Sequence, residues 1–283
     1  MVKRFEVVHN CKKKNFYFSK TASPHYIFCK QCSIFFKKNT YEEKSNRTKN
    51  LKKFHLNVEQ KIKSREYLNK IEIDKFLINK FIKLIGHKPK KLLDYGCGYG
   101  SMLFAAKNLK INVVVGYDIN SFLINSLKKK FLVIKKKSEL IRIKKKFDCV
   151  VVNKVLNLSP NVEEDFFILS KILKNKGYVI LVEQVKDFSR YGSFPIRRNN
   201  NTHVITINSI KYFSDKFGFK IKKISNSFGD LTCFLQKDKN VRKFRETANF
   251  TPRVYYFYEK YKYIFNFTYS AIFELKKIVK KLC

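Results

Sequence analysis

The stretch Leu92-Leu93-Asp94-Tyr95-Gly96-Cys97-Gly98-Tyr99-Gly100-Ser101 decides the fold. It begins apolar, as a short strand does, and runs through three glycines into a helix starting near Met102. The glycines let the backbone turn sharply and let a ligand approach without a Cβ in the way. Such a loop is weak evidence by itself. The next apolar run, Val113-Val114-Val115, continues into Gly116-Tyr117-Asp118 and so places a carboxylate 22 residues after Gly96. That is where nucleotide-binding α/β folds put the acid that accepts hydrogen bonds from ribose hydroxyls. Loop and acid together are a strong signal. A dinucleotide loop would read G-x-G-x-x-G, but Ser101 holds its third required position and Gly100 falls one residue early. Asp94, two residues before the first glycine, would repel a pyrophosphate and attract a cationic ligand.

Outward from this loop, short apolar runs alternate with helical stretches between Lys90 and about Lys237. They are Phe131 to Ile134, Cys149 to Val152 and Tyr178 to Val182. Alternation of this kind implies a parallel sheet with helices on both faces. After Gly218, the runs Phe219 to Ile224 and Leu231 to Gln236 flank a turn at Gly229-Asp230 and read as a hairpin closing the sheet edge. On the amino-terminal side, Tyr67, Ile71, Phe76, Ile78, Phe81, Ile82 and Ile85 recur near helical spacing, and Gly86 and Pro89 stop that helix. Four segments of different texture result: 1–36, which carries three of the seven cysteines, the helical arm 37–88, the α/β domain 89–238, and a basic tail, 239–283. The chain has no internal repeat.

A chain of 283 residues with 45% apolar and 16% aromatic side chains excludes intrinsic disorder. No run approaches the ~18 uninterrupted apolar residues of a membrane span, and the first residues lack the apolar region of a signal peptide, so a cytoplasmic protein is expected. Seven cysteines then read as free thiols or metal ligands. The net charge of +39 is the footprint of a polyanion binder or of an AT-rich genome. Lysine outnumbers arginine 51 to 10, which favours genome bias, because planar bidentate recognition of phosphates and bases favours arginine. In the tail, Ile264, Thr268, Ala271, Ile272, Leu275, Val279 and Leu282 recur at helical spacing with lysines mostly opposite. Such a helix packs on its own domain or lies on an anionic membrane surface, in peripheral contact.

The acid, the glycine loop and the second acid at the end of the next strand resemble the class I S-adenosylmethionine-dependent methyltransferases. The resemblance extends over about 150 residues: Phe147 to Asn153 resembles the family's fourth strand, Leu169 to Val182 its following helix, glycine turn and fifth strand, and Phe217-Gly218-Phe219 the entry to its closing hairpin. It implies a Rossmann-like, mostly parallel seven-stranded sheet ending in an antiparallel hairpin, and residues 89–238 as the methyltransferase domain. It also implies in-line methyl transfer from S-adenosylmethionine. By the same resemblance Gly96, Cys97 and Gly98 lie under the methionine moiety, with Asp94 and Gly100 in the same loop. Asp118 holds the ribose, Ile119 packs on adenine and Asn153 faces the transferred methyl. The family's usual acid after the third strand is replaced by Lys136, so no adenine contact is assigned there.

Cys29-Lys30-Gln31-Cys32 has the spacing of a zinc knuckle. With His25 and Phe35-Phe36 around it, this stretch resembles the second knuckle of the zinc ribbon that begins some methyltransferases of sugars and glycans. Of the first knuckle only Cys11 remains. His9 or His25 could supply a fourth ligand, which makes His9, Cys11, Cys29 and Cys32 the expected zinc set, against three reduced thiols in a ribbon without metal. His203, in the segment that closes over the acceptor in the family, and Glu183, at the end of the fifth strand, each read as a general base or as a loop anchor. The expected acceptor is a small molecule or a glycan, lipid-linked if the tail is interfacial. Nucleic acid is the alternative, disfavoured because Asn153-Lys154-Val155-Leu156 is not the N/D-P-P-Y/F tetrad of amino-directed nucleic-acid methyltransferases. A binding module that has kept the fold and lost turnover is the third reading.

Overall fold

The apolar runs on either side of the glycine loop pair into one seven-stranded sheet. The structure, a computed structural model, describes residues 9–12, 16–17, 26–29, 31–37, 58–144, 146–184, 202–227 and 230–238. His25 and the tail 239–283 lie outside these. In chain order the elements are β1 (Phe16–Tyr17), β2 (Tyr26–Cys29), β3 (Ile34–Lys37), α1 (Val58–Lys63), α2 (Arg65–Ile85), β4 (Lys91–Tyr95), α3 (Ser101–Asn108), β5 (Val113–Tyr117), α4 (Ser121–Leu127) and β6 (Leu132–Ile134). There follow α5 (Lys137–Ile141), β7 (Phe147–Asn153), α6 (Val162–Ile172), β8 (Leu173–Glu183), β9 (His203–Val204), α7 (Ile207–Lys216), β10 (Phe219–Ser227) and β11 (Asp230–Lys237).

The large sheet has the order β10-β11-β8-β7-β4-β5-β6. Its central strands are parallel, with Leu93 opposite Val115 on one side and Val150 on the other. They are covered on both faces, which is why they read as unbroken apolar runs. The chain lays down β4, β5 and β6 toward one edge and then crosses over to begin β7 on the other side of β4. The carboxyl ends of β4 and β7 therefore flank a topological switch point, the place where open α/β sheets bind ligands. At the other edge β11 runs antiparallel to β8, and β10 forms the rim with exposed Lys220, Lys222 and Lys223, which discourage edge pairing.

Two local expectations change. The glycine expected to turn helix into fifth strand lies inside β8, which starts immediately after α6. Lys176 there takes a left-handed φ of 63°, and the pairing with β7 slips between Phe147 and Cys149. In α2, capped by Ser64 and ended by left-handed Gly86, the buried stripe is Tyr67, Ile71, Asp74, Ile78 and Phe81. Phe76 is 65% exposed, and the stripe position between Ile71 and Ile78 belongs to Asp74, which is 1% exposed.

The cysteine segment is not self-contained. Its strands form a second, four-stranded sheet, β1-β2-β3-β9, whose last member comes from beyond the fifth strand of the large sheet. Among the described residues no helix is long and apolar enough to cross a membrane.

Phe81 is fully buried between Phe234 and Tyr178, so Phe81→Ala should cost about 3–5 kcal/mol of stability. Phe76→Ala should stay within about 0.5 kcal/mol of wild type, both measured by urea denaturation.

Candidate functional site

The glycine loop is clasped to the end of β5. The N–H groups of Gly96 and Cys97 both donate to the Tyr117 carbonyl, at 2.7 and 2.9 Å. One residue on, the Asp118 carboxylate accepts from Gly98 N–H and from Asn120 N–H, each at 2.8 Å. Gly96 adopts φ 85°, and a Cβ there would come within 2.4 Å of a Val155 methyl. Gly98 also has positive φ, 50°, but its Cβ direction is open, with nothing within 4 Å. The loop thus offers bare backbone to whatever occupies that space. The Cys97 side chain turns away into a cluster with Leu103, Ile124 and Leu127, so this residue's contribution is its backbone. Gly116 makes room for it, since a Cβ there would lie 2.9 Å from Cys97 Sγ.

Around this loop stand the other residues expected from the sequence. Asp94 is buried at the end of β4, its carboxyl pushed well above the usual range by burial and then by the nearby charge of Asp74. Gly100 is the left-handed cap that starts α3. Ile119 follows Asp118 and is 68% exposed, an apolar side chain presented at the rim. Asn153 ends β7, and Lys154 after it takes a left-handed φ of 58°, turning the chain sharply.

Sequence reasoning missed Asp74. From the buried face of α2 it accepts from Ser101 Oγ at 2.7 Å and from Lys70 Nζ at 2.6 Å, while Tyr67 O–H donates to the Tyr99 carbonyl at 2.8 Å. Helix α2 is therefore tied to the carboxyl-terminal end of the glycine loop, at Tyr99 and Ser101. The available signal was an acid at a buried position of an amphipathic helix.

On the far side of the switch point, Glu183 is 0% exposed. One carboxylate oxygen accepts from the N–H groups of Val155 and Leu156 at 2.8 and 2.7 Å, the other from Asn157 Nδ2 at 2.9 Å. Burial pushes its pKa up to about 8 against the pull of these donors. His203 is 1% exposed, and its Nδ1 lies 3.0 Å from the Ser159 carbonyl, a contact that requires Nδ1 to carry the proton. Burial lowers its pKa to about 3, which keeps the ring neutral. Both side chains have the burial and the bonding of loop anchors. Asn157, which bonds Glu183 on one side and Thr202 and Ile205, the neighbours of His203, on the other, was not singled out by the sequence.

The metal candidates converge. Ligand atoms of His9, Cys11, Cys29 and Cys32 all lie within 4.8 Å of one another, with Cys32 Sγ 3.5 Å from His9 Nε2. Hydrogen bonds from the Cys11 and Cys32 thiols push the Cys29 thiol well down, whereas burial pushes that of Cys32 up. Three soft sulfurs and one imidazole nitrogen make a donor set that suits tetrahedral zinc.

Residues 67–224 match the protein family described as a methyltransferase domain. No curated protein matches the chain in sequence. Among solved structures, an O-methyltransferase family protein from Burkholderia thailandensis is similar at TM-score 0.52 and 10% identity, covering 71% of this chain and 64% of that one. The plantazolicin methyltransferase BpumL, in complex with a monoazolic desmethylPZN analog and SAH, is similar at TM-score 0.50 and 16% identity, covering 70% of this chain and 93% of that one. At these identities the likeness is one of fold.

The raised pKa of Glu183 sets a pH dependence. The folded chain keeps a proton that the unfolded chain releases above pH 4.5, so this stabilisation is full below pH 4.5 and is lost as pH rises through about 8. Glu183→Gln cannot ionise. Its urea midpoint should therefore gain on that of wild type between pH 5 and pH 8.

Proposed function

The chain belongs to the methyltransferase-domain family, and from that premise we propose that it transfers a methyl group from S-adenosylmethionine to a small-molecule or glycan acceptor. The observation that carries this reading is the placement of two acids, Asp94 and Asp118, on either side of one glycine loop at the switch point. When bound, S-adenosylmethionine supplies an electrophilic methyl on a sulfonium, open to in-line attack by the acceptor. The cofactor is cationic and lacks phosphate, which suits a loop flanked by carboxylates. Asp118 accepts from ribose hydroxyls, Ile119 covers adenine, and the open face of Gly98 admits the amino-acid end. Asn153 stands across the switch point, toward the transferred methyl.

No nucleophile of the protein is needed for such a displacement. Alignment of two bound reactants can lower the barrier by up to ~7–11 kcal/mol, with exclusion of water adding to it. Glu183 and His203 serve here by holding the walls of the acceptor side. That the acceptor is small is supported by the turn after β7. There Lys154, Val155 and Leu156 stand where a nucleic-acid enzyme would present its Pro-Pro-aromatic tetrad, and Glu183 ties that turn down by its backbone. The same reading assigns a structural zinc to His9, Cys11, Cys29 and Cys32, where it would hold the thiols deprotonated and close the ribbon.

Calorimetric titration with S-adenosylmethionine and its demethylated product tests the cofactor. Wild type should bind both at micromolar levels. Asp118→Ala should weaken binding roughly 10- to 100-fold, as expected for lost hydrogen bonds to a charged group. Gly98→Val should abolish it by filling the open face. Failure of well-folded wild type to bind either molecule would overturn the reading. Metal analysis of untagged protein should give close to one zinc per chain, and Cys29→Ser should lower that ratio; a wild-type ratio near zero would remove the metal.

A further inference from the structure

Between the ribbon and the catalytic domain runs a continuous set of buried and half-buried contacts. The turn joining β2 to β3 carries Cys32 and Ser33, the latter at a left-handed φ of 54°. The carbonyl of Ser33 accepts from Thr206 Oγ1 at 2.7 Å, across 173 residues of sequence, and Gln31 Nε2 donates to Tyr212 O–H at 3.2 Å. The His9 ring stacks on Phe36 of β3 with centroids 4.3 Å apart, and Phe36 is in turn the register partner of His203 in β9. From β9 the contacts pass to the turn after β7. Thr202 N–H donates to the Asn157 carbonyl at 2.8 Å, Ile205 N–H to Asn157 Oδ1 at 3.2 Å, and the Thr202 hydroxyl lies 2.6 Å from the Ser159 carbonyl. Asn157 then meets Glu183, whose carboxylate holds Val155, the residue packed against Gly96.

Resting on the functional reading above, we propose that the cluster of His9, Cys11, Cys29 and Cys32 is a positioning device for the acceptor-side wall. Closing the cluster fixes β3, β3 fixes β9, and β9 fixes the Asn157–Glu183 clamp that sets the turn beyond Asn153. The physical reason lies in β9. With two residues and two register pairs it has little ladder of its own, so it is held between the ribbon's edge strand on one side and the turn after β7 on the other. The ribbon's edge strand β3 supplies one of those attachments, and the cluster and the stack of His9 on Phe36 brace that strand from the ribbon's side. Ribbon and wall should therefore be coupled in both directions, since coupling between two sites is reciprocal.

Contiguity alone does not establish coupling. The decisive experiment is amide hydrogen exchange on the full-length protein, read by mass spectrometry. Cys29→Ser should raise exchange at 155–159 and 202–206 tenfold or more, leave 92–95 and 149–152 unchanged, and alter S-adenosylmethionine affinity less than threefold. In the reverse direction, Val204→Pro, in β9 opposite Phe35, should accelerate zinc release to a chromophoric chelator at least fivefold. Thr206→Val should raise exchange at 31–37, and Thr206→Ser, which keeps the hydroxyl, should restore it. Increases confined to the ribbon in Cys29→Ser, or unchanged exchange at 31–37 in both Val204→Pro and Thr206→Val, would overturn the proposal. Absence of zinc and of cofactor binding in wild type would sink the functional reading instead, while exchange at 31–37 in Val204→Pro and Thr206→Val still decides the coupling.

Discussion

Two N–H groups, those of Gly96 and Cys97, meet the single carbonyl of Tyr117, and the arrangement of the site follows from that clasp. To bring both donors onto one acceptor the chain must leave β4 in a left-handed turn, which a side chain at Gly96 would obstruct against Val155. The clasp aims α3 back across the sheet and drops Cys97 into the space left by Gly116. It also sets Gly98 N–H onto Asp118, so the second acid is oriented by the loop it faces. Because β4 and β5 are parallel and covered on both faces, the clasp is anchored in the buried centre of the sheet.

Charge is distributed around this frame with a clear division of labour. Among the described residues, the fully buried side chains of the Asp, Glu, Lys and Arg types are all carboxyls: Asp74, Asp94, Asp165 and Glu183. Most of their oxygens have internal donors, Ser101 and Lys70 for Asp74, Tyr95 and Lys137 for Asp165, and the turn after β7 for Glu183. No lysine or arginine is buried among them, in keeping with the cost of desolvating an ammonium. Among the described residues the positive charge is therefore a property of the surface. It bears on solubility and on encounters with anions, not on how the sheet or the loop is built.

What the sequence made legible was what is local. Parallel central strands are bounded apolar runs, and a glycine loop with an acid at each end is a contiguous signal, so the sheet, its hairpin and the Asp94–Asp118 frame could be read directly. Non-local contacts were not visible. Phe76 fitted the helical period, but the buried position went to Asp74 because Ser101 and Lys70 give that carboxylate partners, one of them in a different element. The two residues of β9 carry no strand signal, since their pairing is with a segment near the other end of the chain. Cys29 and Cys32 announce themselves by spacing, and the expected set with His9 and Cys11, read through the resemblance to a two-knuckle ribbon, does converge.

The same non-locality left Glu183 and His203 open, in the sequence, to two readings, general base or loop anchor. Glu183 is a titratable residue at the end of a strand of the large sheet, the usual place for chemistry, and His203 lies in the segment that follows that strand. A base, however, must exchange a proton with the acceptor without disturbing what holds the acceptor in place. Glu183 has three donors converging on its two oxygens, and His203 spends Nδ1 on the Ser159 carbonyl, so a change of charge at either would loosen the turn that both secure. In a displacement driven by alignment, an error in the position of that wall costs more than the absence of a dedicated base, because the electrophile is already activated and the gain comes from geometry. Buried, bonded anchors on the acceptor side are the arrangement that such chemistry rewards.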